Sequence, residues 1–374
     1  MGRTVRVVAQ VEPLVGYTVA ITAERRREEL ATLLTRRGAA VVEAPCLRIL
    51  PVEDDGTLRA ATVECLRKPV DYLVATTAVG IRGWFSASAS WGVGDELHTH
   101  LDAATIITRG PKVKGAVRAA GLAEQWSPES ESNAEVLEHM RTLELAGKRV
   151  VVQLHANEPR GVVDELRRLG ADVLALQVYR CDPPTDLEPV LRLVTQIVER
   201  KVDAVTFTSV AAVEQLLAIA GRAAEDLLEA LRTDVIAACV GPVTAAPLEA
   251  LGVPTVAPDR FRLGALAHTV VDALGARTQV VQAGGHRLEV RSRAVVVDGA
   301  VVTLPPASAT LLRALVEHPG RVLSRAQLLQ QLIGDPAGDE HVVEVAVARL
   351  RSALGPASPA VATVVKRGYR LAVG

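Results

Sequence analysis

An α/β body followed by a C-terminal winged helix is what this sequence predicts, and three observations predict it. Residues 14–275 repeat short apolar strands that run into amphipathic helices, the building pattern of a parallel sheet. Asp339 to Leu371 instead reads as a helix followed by a basic hairpin, the working half of a winged helix. The charge divides at the same place. From Gly284 to the end there are 11 Lys+Arg against 7 Asp+Glu, whereas the rest of the chain holds 31 against 36. A basic module on an acidic body fits a DNA-binding tail on a domain that does not bind DNA.

The elements follow in order. TVAIT is a buried strand, and Glu24 to Arg37 is a helix with Leu30, Leu33 and Leu34 inward and arginines outward. Gly38 ends it, and AAVVEAP is the next strand. DYLVATTAVGIRGWF and ATIITRGPKVKGAVRAAG are each a strand running into a helix. KRVVVQLHANEPRGVVDELRRLGADVLALQVYR repeats the unit, and DAVTFTSVAAVEQLL and DVIAACVGPVTAAPLEALGVPT complete the series. These are too many strands for one small sheet. Residues 276–285 read as a linker, and RLEVRSRAVVVDGAVVTL gives strands joined at an Asp298-Gly299 hairpin turn. A helix over 307–318 carries Leu311, Leu312, Leu315 and Val316, and Ser324 with Gln327 forms a capping box.

In the last helix, Val343, Val347, Leu350 and Leu354 follow i, i+4, i+7, i+11, so this stripe is buried. His341, Val345, Ala348 and Ser352 lie opposite, flanked by Arg349 and Arg351. Small residues flanked by arginines let a helix approach a groove and reach base edges or phosphates. Gly368 marks a turn with Lys366 and Arg367 at its tip.

Composition bounds the rest. The 374 residues hold two or three domains, and 49% hydrophobic with 23% charged residues is ordinary for a globular chain. Aromatics at 3% argue against stacking platforms for single-stranded nucleic acid. No apolar run approaches the about 20 residues of a membrane span, and the N-terminus has no signal-peptide core, so neither a membrane nor secretion is expected. Cys46, Cys65, Cys181 and Cys239 are scattered, which suits reduced thiols in the cytoplasm. No cofactor or metal is expected. His155 with Glu158 makes too few ligands for a metal site and reads as a solvated turn.

In parallel sheets, chemistry gathers where strands end and helices begin. Hydroxyls stand at several such junctions: Thr22, Thr76-Thr77, Thr208-Ser209 and Gly241-Pro242-Val243-Thr244. Each alone is a plain N-cap. Together with Arg25, Arg26 and Arg109 they suit a ligand bearing several carboxylates.

The same stretches, LVGYTVAIT, EELATLLTRRGAAVVEAP, DYLVATTAVG, LRRLGADVLALQVYR, DAVTFTSVAAVEQLL and CVGPVTAAPLEALG, resemble uroporphyrinogen-III synthase (HemD) over residues 14–275. The resemblance implies two similar α/β lobes joined by a two-strand ladder, one from 14–48 with 180–275 and the other from 52–175. It also implies a cleft for hydroxymethylbilane, a linear tetrapyrrole with eight carboxylates. Tyr179 falls on the tyrosine proposed to assist loss of the substrate hydroxyl, and Thr244 on the threonine of the VGxxTA turn. Ala23 stands where the family has arginine, and Val113 in Gly110-Pro111-Lys112-Val113 replaces a hydroxyl residue. His155 to Arg160 replaces a glycine-rich turn. These departures argue against full synthase activity.

LPPASATLLRALVEHPGRVLSRAQLL, HVVEVAVARLR and KRGYRL resemble the winged-helix domain of OmpR/PhoB-type response regulators over about the last 90 residues. The resemblance implies DNA contacts from Arg325, His341, Val345, Ala348, Arg349, Arg351, Lys366, Arg367 and Tyr369. It also implies a homodimer on paired half-sites of double-stranded DNA. His341, Ala346 and Ala348 depart from residues common in the family, so the operator is not inherited from it. No acidic pair and lysine form a phosphoacceptor arrangement. The fusion resembles actinobacterial regulators of nitrate and nitrite assimilation. The expectation is therefore a transcription regulator whose synthase-like region senses a tetrapyrrole, another anion or a co-regulator protein. The alternatives are an active synthase with a DNA-binding tail and a scaffold with an empty cleft.

Overall fold

The structure is a computed structural model that describes residues 11–51, 56–128, 133–154 and 161–373. The chain divides into two compact units, Met1–Leu47 with Pro183–Gly374, and Arg48–Asp182. The first unit opens with β1 (Thr18–Ile21), α1 (Arg27–Thr35) and β2 (Ala40–Glu43). The second unit runs through β3 (Arg48–Pro51), α2 (Thr57–Leu66), β4 (Tyr72–Ala75), α3 (Ala78–Ser90), α4 (Gly94–Asp102) and β5 (Thr105–Thr108). It continues with α5 (Pro111–Ala119), α6 (Asn133–Arg141), β6 (Arg149–Leu154), α7 (Gly161–Arg168), β7 (Asp172–Gln177) and β8 (Tyr179–Asp182).

The chain then returns to the first unit with α8 (Glu188–Val198), β9 (Ala204–Phe207), α9 (Val210–Ala220), α10 (Ala224–Thr233), β10 (Ile236–Cys239), α11 (Pro242–Ala250), β11 (Thr255–Val256) and α12 (Leu263–Gly275). The C-terminal module follows: β12 (Gln279–Ala283), β13 (His286–Val290), β14 (Ala294–Val297), β15 (Ala300–Thr303), α13 (Pro306–Glu317), α14 (Arg325–Ile333), α15 (His341–Leu354), β16 (Val361–Val364) and β17 (Gly368–Leu371).

In the first unit a parallel sheet has the order β11-β10-β9-β1-β2. Its three central strands, TVAI, AVTF and IAAC, are buried at every position because helices cover both faces. One face packs Phe207, Leu193, Leu216 and Leu227, and the other packs Val19, Leu30, Leu266 and Val270. In α8 the buried residues Val190, Leu193, Val194 and Ile197 repeat at helical spacing, so one stripe docks on the sheet.

The second unit holds a parallel sheet of order β5-β4-β6-β7 and the antiparallel ladder β3–β8, which pairs Arg48 with Asp182 through Pro51 with Tyr179. The ladder sits at the two places where the chain enters and leaves this unit. Burial pushes the Cys46 and Cys239 thiols up to about 12 and Cys65 up to about 11, so all three stay protonated at neutral pH.

Acid should unload the second unit. The Arg118 guanidinium, aided by Lys114, holds Glu124 at about 2, and Arg168 with Arg141 does the same for Glu165. A depressed folded-state value gives stability that is present above the unfolded carboxyl value of about 4.3 and is lost as pH falls toward 2. The urea midpoint should therefore fall across that window, and a Glu124→Gln/Glu165→Gln variant should show a shallower fall. An identical slope in the variant would remove these pairs from the account.

The C-terminal module packs Leu288, Val295, Leu311, Leu312, Leu315, Leu328, Val343, Val347, Leu350 and Leu371 into one core. The expected stripe of α15 is the buried one. The Asp298-Gly299 turn joins β14 to β15 with φ of 50° and 89°, and Ser324 and Gln327 form the capping box.

Two expectations are corrected. The helix expected from Glu24 starts at Arg27, because Arg26 adopts a left-handed φ of 55°. The expected linker 276–285 contains β12, which pairs with β13 from Gln279–Val290 to Ala283–His286 across a Gly284-Gly285 turn. This edge strand exposes Gln279, Val280 and Gln282, so it lacks the apolar alternation that marks a half-buried strand. The turn 155–160, with His155 and Glu158, lies outside the described residues.

Candidate functional site

Parallel strands end on the same side of their sheet, so each sheet gathers its junctions along one edge. In the second unit Ala75 pairs with Thr108, which sets Thr76-Thr77 beside Arg109-Gly110. Thr76 donates its hydroxyl to the Gln153 carbonyl at 2.7 Å. Thr77 caps α3, its oxygen accepting from Gly80 N at 3.1 Å and from Gln153 Nε2 at 2.8 Å. Both bonds use the Thr77 oxygen as acceptor. Gly80 makes the arrangement possible, because an added Cβ would stand 1.4 Å from Gln153 Nε2. Gln153 Oε1 and Thr108 Oγ1 are buried with no hydrogen-bond partner among the described residues, the condition of polar groups awaiting one. Arg109 is half-buried at the start of this turn, and α5 begins at Gly110-Pro111 without a side-chain cap.

In the first unit Thr22, Thr208-Ser209 and Gly241-Thr244 follow β1, β9 and β10. Thr22 is fully buried and donates its hydroxyl to Thr206 O at 2.8 Å, which leaves it an acceptor only. Ser209 caps α9 by accepting from Ala212 N at 3.3 Å. Helix α11 starts at Gly241-Pro242 with no side-chain cap, and the Phe261 ring lies against Gly241. Thr244 is buried in the first turn of that helix. Arg25 is exposed, whereas Arg26 is committed to Glu29 at 2.7 Å. Tyr179 is buried at the start of the ladder strand β8, opposite Pro51 and two residues after the end of β7. The plain-cap reading thus describes Thr77 and Ser209, while the Gly-Pro starts of α5 and α11 leave helix N-termini uncapped by side chains.

The nine residues expected at DNA separate into two groups. His341, Ala348 and Arg349 are exposed on α15, with Val345 half-buried between them. Asp339 Oδ1 accepts from His341 N at 2.9 Å and so closes the start of this helix. Lys366 and Arg367 are exposed at the tip of the β16–β17 hairpin. Arg325, Arg351 and Tyr369 instead serve the module itself. Arg351 donates to Val361 O at 2.9 and 2.6 Å and to Thr363 Oγ1 at 2.8 Å, which ties α15 to the hairpin. Tyr369 is 5% exposed, with the guanidinium of Arg325 5.6 Å and that of Arg351 5.9 Å from its ring centroid. Arg325 also faces Glu344 at 3.3 Å. In this structure these three side chains make contacts within the module, Arg325 and Arg351 half-buried and Tyr369 buried. Sequence reading also missed Val365, 78% exposed beside Lys366. An apolar side chain ahead of the basic pair Lys366-Arg367 is a signal only once the turn is known.

Among the described residues no helix is long and apolar enough to cross a membrane, and no group of three or more His, Cys, Asp or Glu could hold a metal ion.

Residues 28–268 match the family of uroporphyrinogen-III synthase HemD, and residues 299–371 match the C-terminal domain of transcriptional regulatory proteins. The chain is 30% identical over 261 residues to YjjA of Bacillus subtilis (strain 168), covering 68% of this chain and 94% of that protein. It is 40% identical over 104 residues to the sensory transduction protein RegX3 of Mycolicibacterium smegmatis, which is 27% of this chain and 46% of that protein. The shared part is therefore less than half of that relative. A crystal structure of a mutant uroporphyrinogen III synthase from the extremely thermophilic bacterium Thermus thermophilus matches 70% of this chain and 99% of its own, with TM-score 0.58 and 29% identity.

Proposed function

We propose that this chain, which belongs to the HemD family of uroporphyrinogen-III synthases and ends in an OmpR/PhoB-type regulatory domain, binds double-stranded DNA and regulates transcription in response to an anion held by its α/β region. The observation that carries the reading is the division of α15. Val343, Val347 and Leu350 are buried, while His341, Ala348 and Arg349 face solvent beside the exposed tip Val365-Lys366-Arg367. A shallow face that carries Arg349 next to a basic wing suits a major groove and its flanking phosphates. One such helix per chain suits a homodimer on paired half-sites. The test is selection of bound fragments from genomic DNA by the full chain, followed by footprinting. Fragments with no shared sequence would overturn the reading.

For the ligand, Thr77, Arg109 and Gly110-Pro111 in the second unit, and by themselves Thr208, Ser209, Thr244 and Gly241-Pro242 in the first, suit carboxylates, of which a linear or cyclic tetrapyrrole offers several. A role in nitrate and nitrite assimilation is what the resemblance to actinobacterial regulators suggests, and by analogy it fits the sirohaem of assimilatory nitrite reductase, which is made from uroporphyrinogen III. A co-regulator protein is the other input this region would accept.

A second reading, an active synthase with a DNA-binding tail, is favoured by Tyr179 and Thr244. A coupled assay with hydroxymethylbilane separates the two, because enzymic closure gives the III isomer and spontaneous closure the I isomer. Only the I isomer is expected. Arg109→Ala or Thr244→Val should weaken hydroxymethylbilane binding by about 1–3 kcal/mol for each charge-assisted bond lost. Unchanged affinity in both variants would take these residues out of the ligand site.

A further inference from the structure

The segment Arg291-Ser292-Arg293, between β13 and β14, meets the amino-terminal edge of the five-stranded sheet, and both belong to the first unit. Arg291 is 8% exposed, and its Nη1 donates to the carbonyls of Glu12 at 3.0 Å and Val15 at 3.1 Å. The backbone N–H of Arg293 donates to Gly16 O at 2.8 Å, and its Nη2 to Lys201 O at 3.0 Å. Asp203, the residue before β9, accepts from Thr18 N at 2.7 Å, is hydrogen-bonded to Ser292, and has Arg293 and Arg313 close by. Ala294 lies on Gly16, whose φ is 87° and where an added Cβ would stand 2.6 Å from the Ala294 Cβ. Tyr17 and Thr278 share a hydroxyl bond of 2.8 Å.

A guanidinium leaves water only where acceptors already stand in place, since an unpaired buried charge is costly. Within its own module the Arg291 guanidinium reaches only Glu289 among the described residues, at 3.4 Å, so a module swinging on a tether would lose the two closer acceptors at Glu12 and Val15. We propose that the winged-helix module is locked onto the five-stranded lobe by this dock, with Arg291 fastened to the Glu12 and Val15 carbonyls and Asp203 as a second, separate fastening, so that the chain presents α15 to DNA in one fixed orientation. The exposed residues of α15 and of the wing take no part in the dock, so docking and DNA contact are compatible. The dock also stands at the amino ends of β1 and β9, one four-residue strand from Thr22 and Thr208-Ser209. The two strands are braced further by Thr22 Oγ1 to Thr206 O and Thr206 Oγ1 to Ala20 O. The lock itself depends on no ligand.

NMR relaxation of the full chain tests it. In the wild type, signals of the winged helix and of the five-stranded lobe should share one tumbling time. In Arg291→Ala/Asp203→Ala the winged-helix signals should tumble faster while their chemical shifts stay native. Tryptic cleavage between 277 and 293 should accelerate on the order of tenfold, as loss of charge-assisted bonds opens the dock. Gly16→Val, which keeps both side chains and wedges the contact apart, should free the module in the same way. Separate tumbling in the wild type would overturn the lock, as would unchanged tumbling and cleavage in both variants.

Discussion

Replacing Gly368 by alanine is expected to unfold the wing and abolish DNA binding. Gly368 has a φ of 130°, and an added Cβ would stand 2.0 Å from Leu323 O and 2.9 Å from the Cα of Ser324. The close approach exists because Leu323 and Tyr369 exchange both backbone bonds, at 2.8 and 3.0 Å, pinning the hairpin to the segment that enters α14. Backbone strain and steric clash each cost about 1–3 kcal/mol, so a loss of about 3 kcal/mol or more is expected. Gly355 is the control. Its φ of 55° is also left-handed, but nothing lies within 4 Å of an added Cβ, so Gly355→Ala should lose only about 1 kcal/mol. Calorimetry of the full chain reads the difference. Equal loss in the two variants would mean that the Leu323–Tyr369 bridge does not restrain the wing.

Arg349→Ala should weaken binding to the selected operator by about 1–3 kcal/mol with no change in melting temperature. Arg349 is exposed on α15, so truncation removes a base-edge or phosphate contact and leaves no buried partner behind. Arg351→Ala should do the reverse. It strips the bonds to Val361 and Thr363, so the melting temperature falls while operator preference is kept. Arg367→Ala, at the exposed tip, should chiefly reduce the salt dependence, by about one phosphate contact. Fluorescence anisotropy at several salt concentrations separates the three. If Arg351→Ala changed operator preference and Arg349→Ala did not, the assigned faces of α15 would be reversed.

The sequence carried a good part of this. The strand–helix repeats of residues 14–275, the buried stripe of α15, the Asp298-Gly299 turn and the capping box at Ser324 were all legible, because each depends on residues within one helical turn or one hairpin. The strand-end hydroxyls were legible as junctions for the same reason.

Local pattern alone thus fixes the order and type of the elements, an amphipathic last helix and a basic wing. Which side chains are already committed to internal partners depends on the packed fold. Arg349 and Arg351 look alike in a helical projection, yet Arg351 bonds a strand ten residues away while Arg349 faces solvent. Thr22 and Thr77 look alike at a strand end, yet one hydroxyl is donated to a neighbouring strand while the other accepts from Gly80 N and Gln153 Nε2. Residues 276–285 look like a linker until β13 supplies a partner for β12, and Arg291 looks like a surface arginine until the turn at Glu12–Val15 closes over it. Local pattern sets backbone conformation, whereas the state of a polar side chain depends on acceptors brought within about 3 Å by residues far off in the chain.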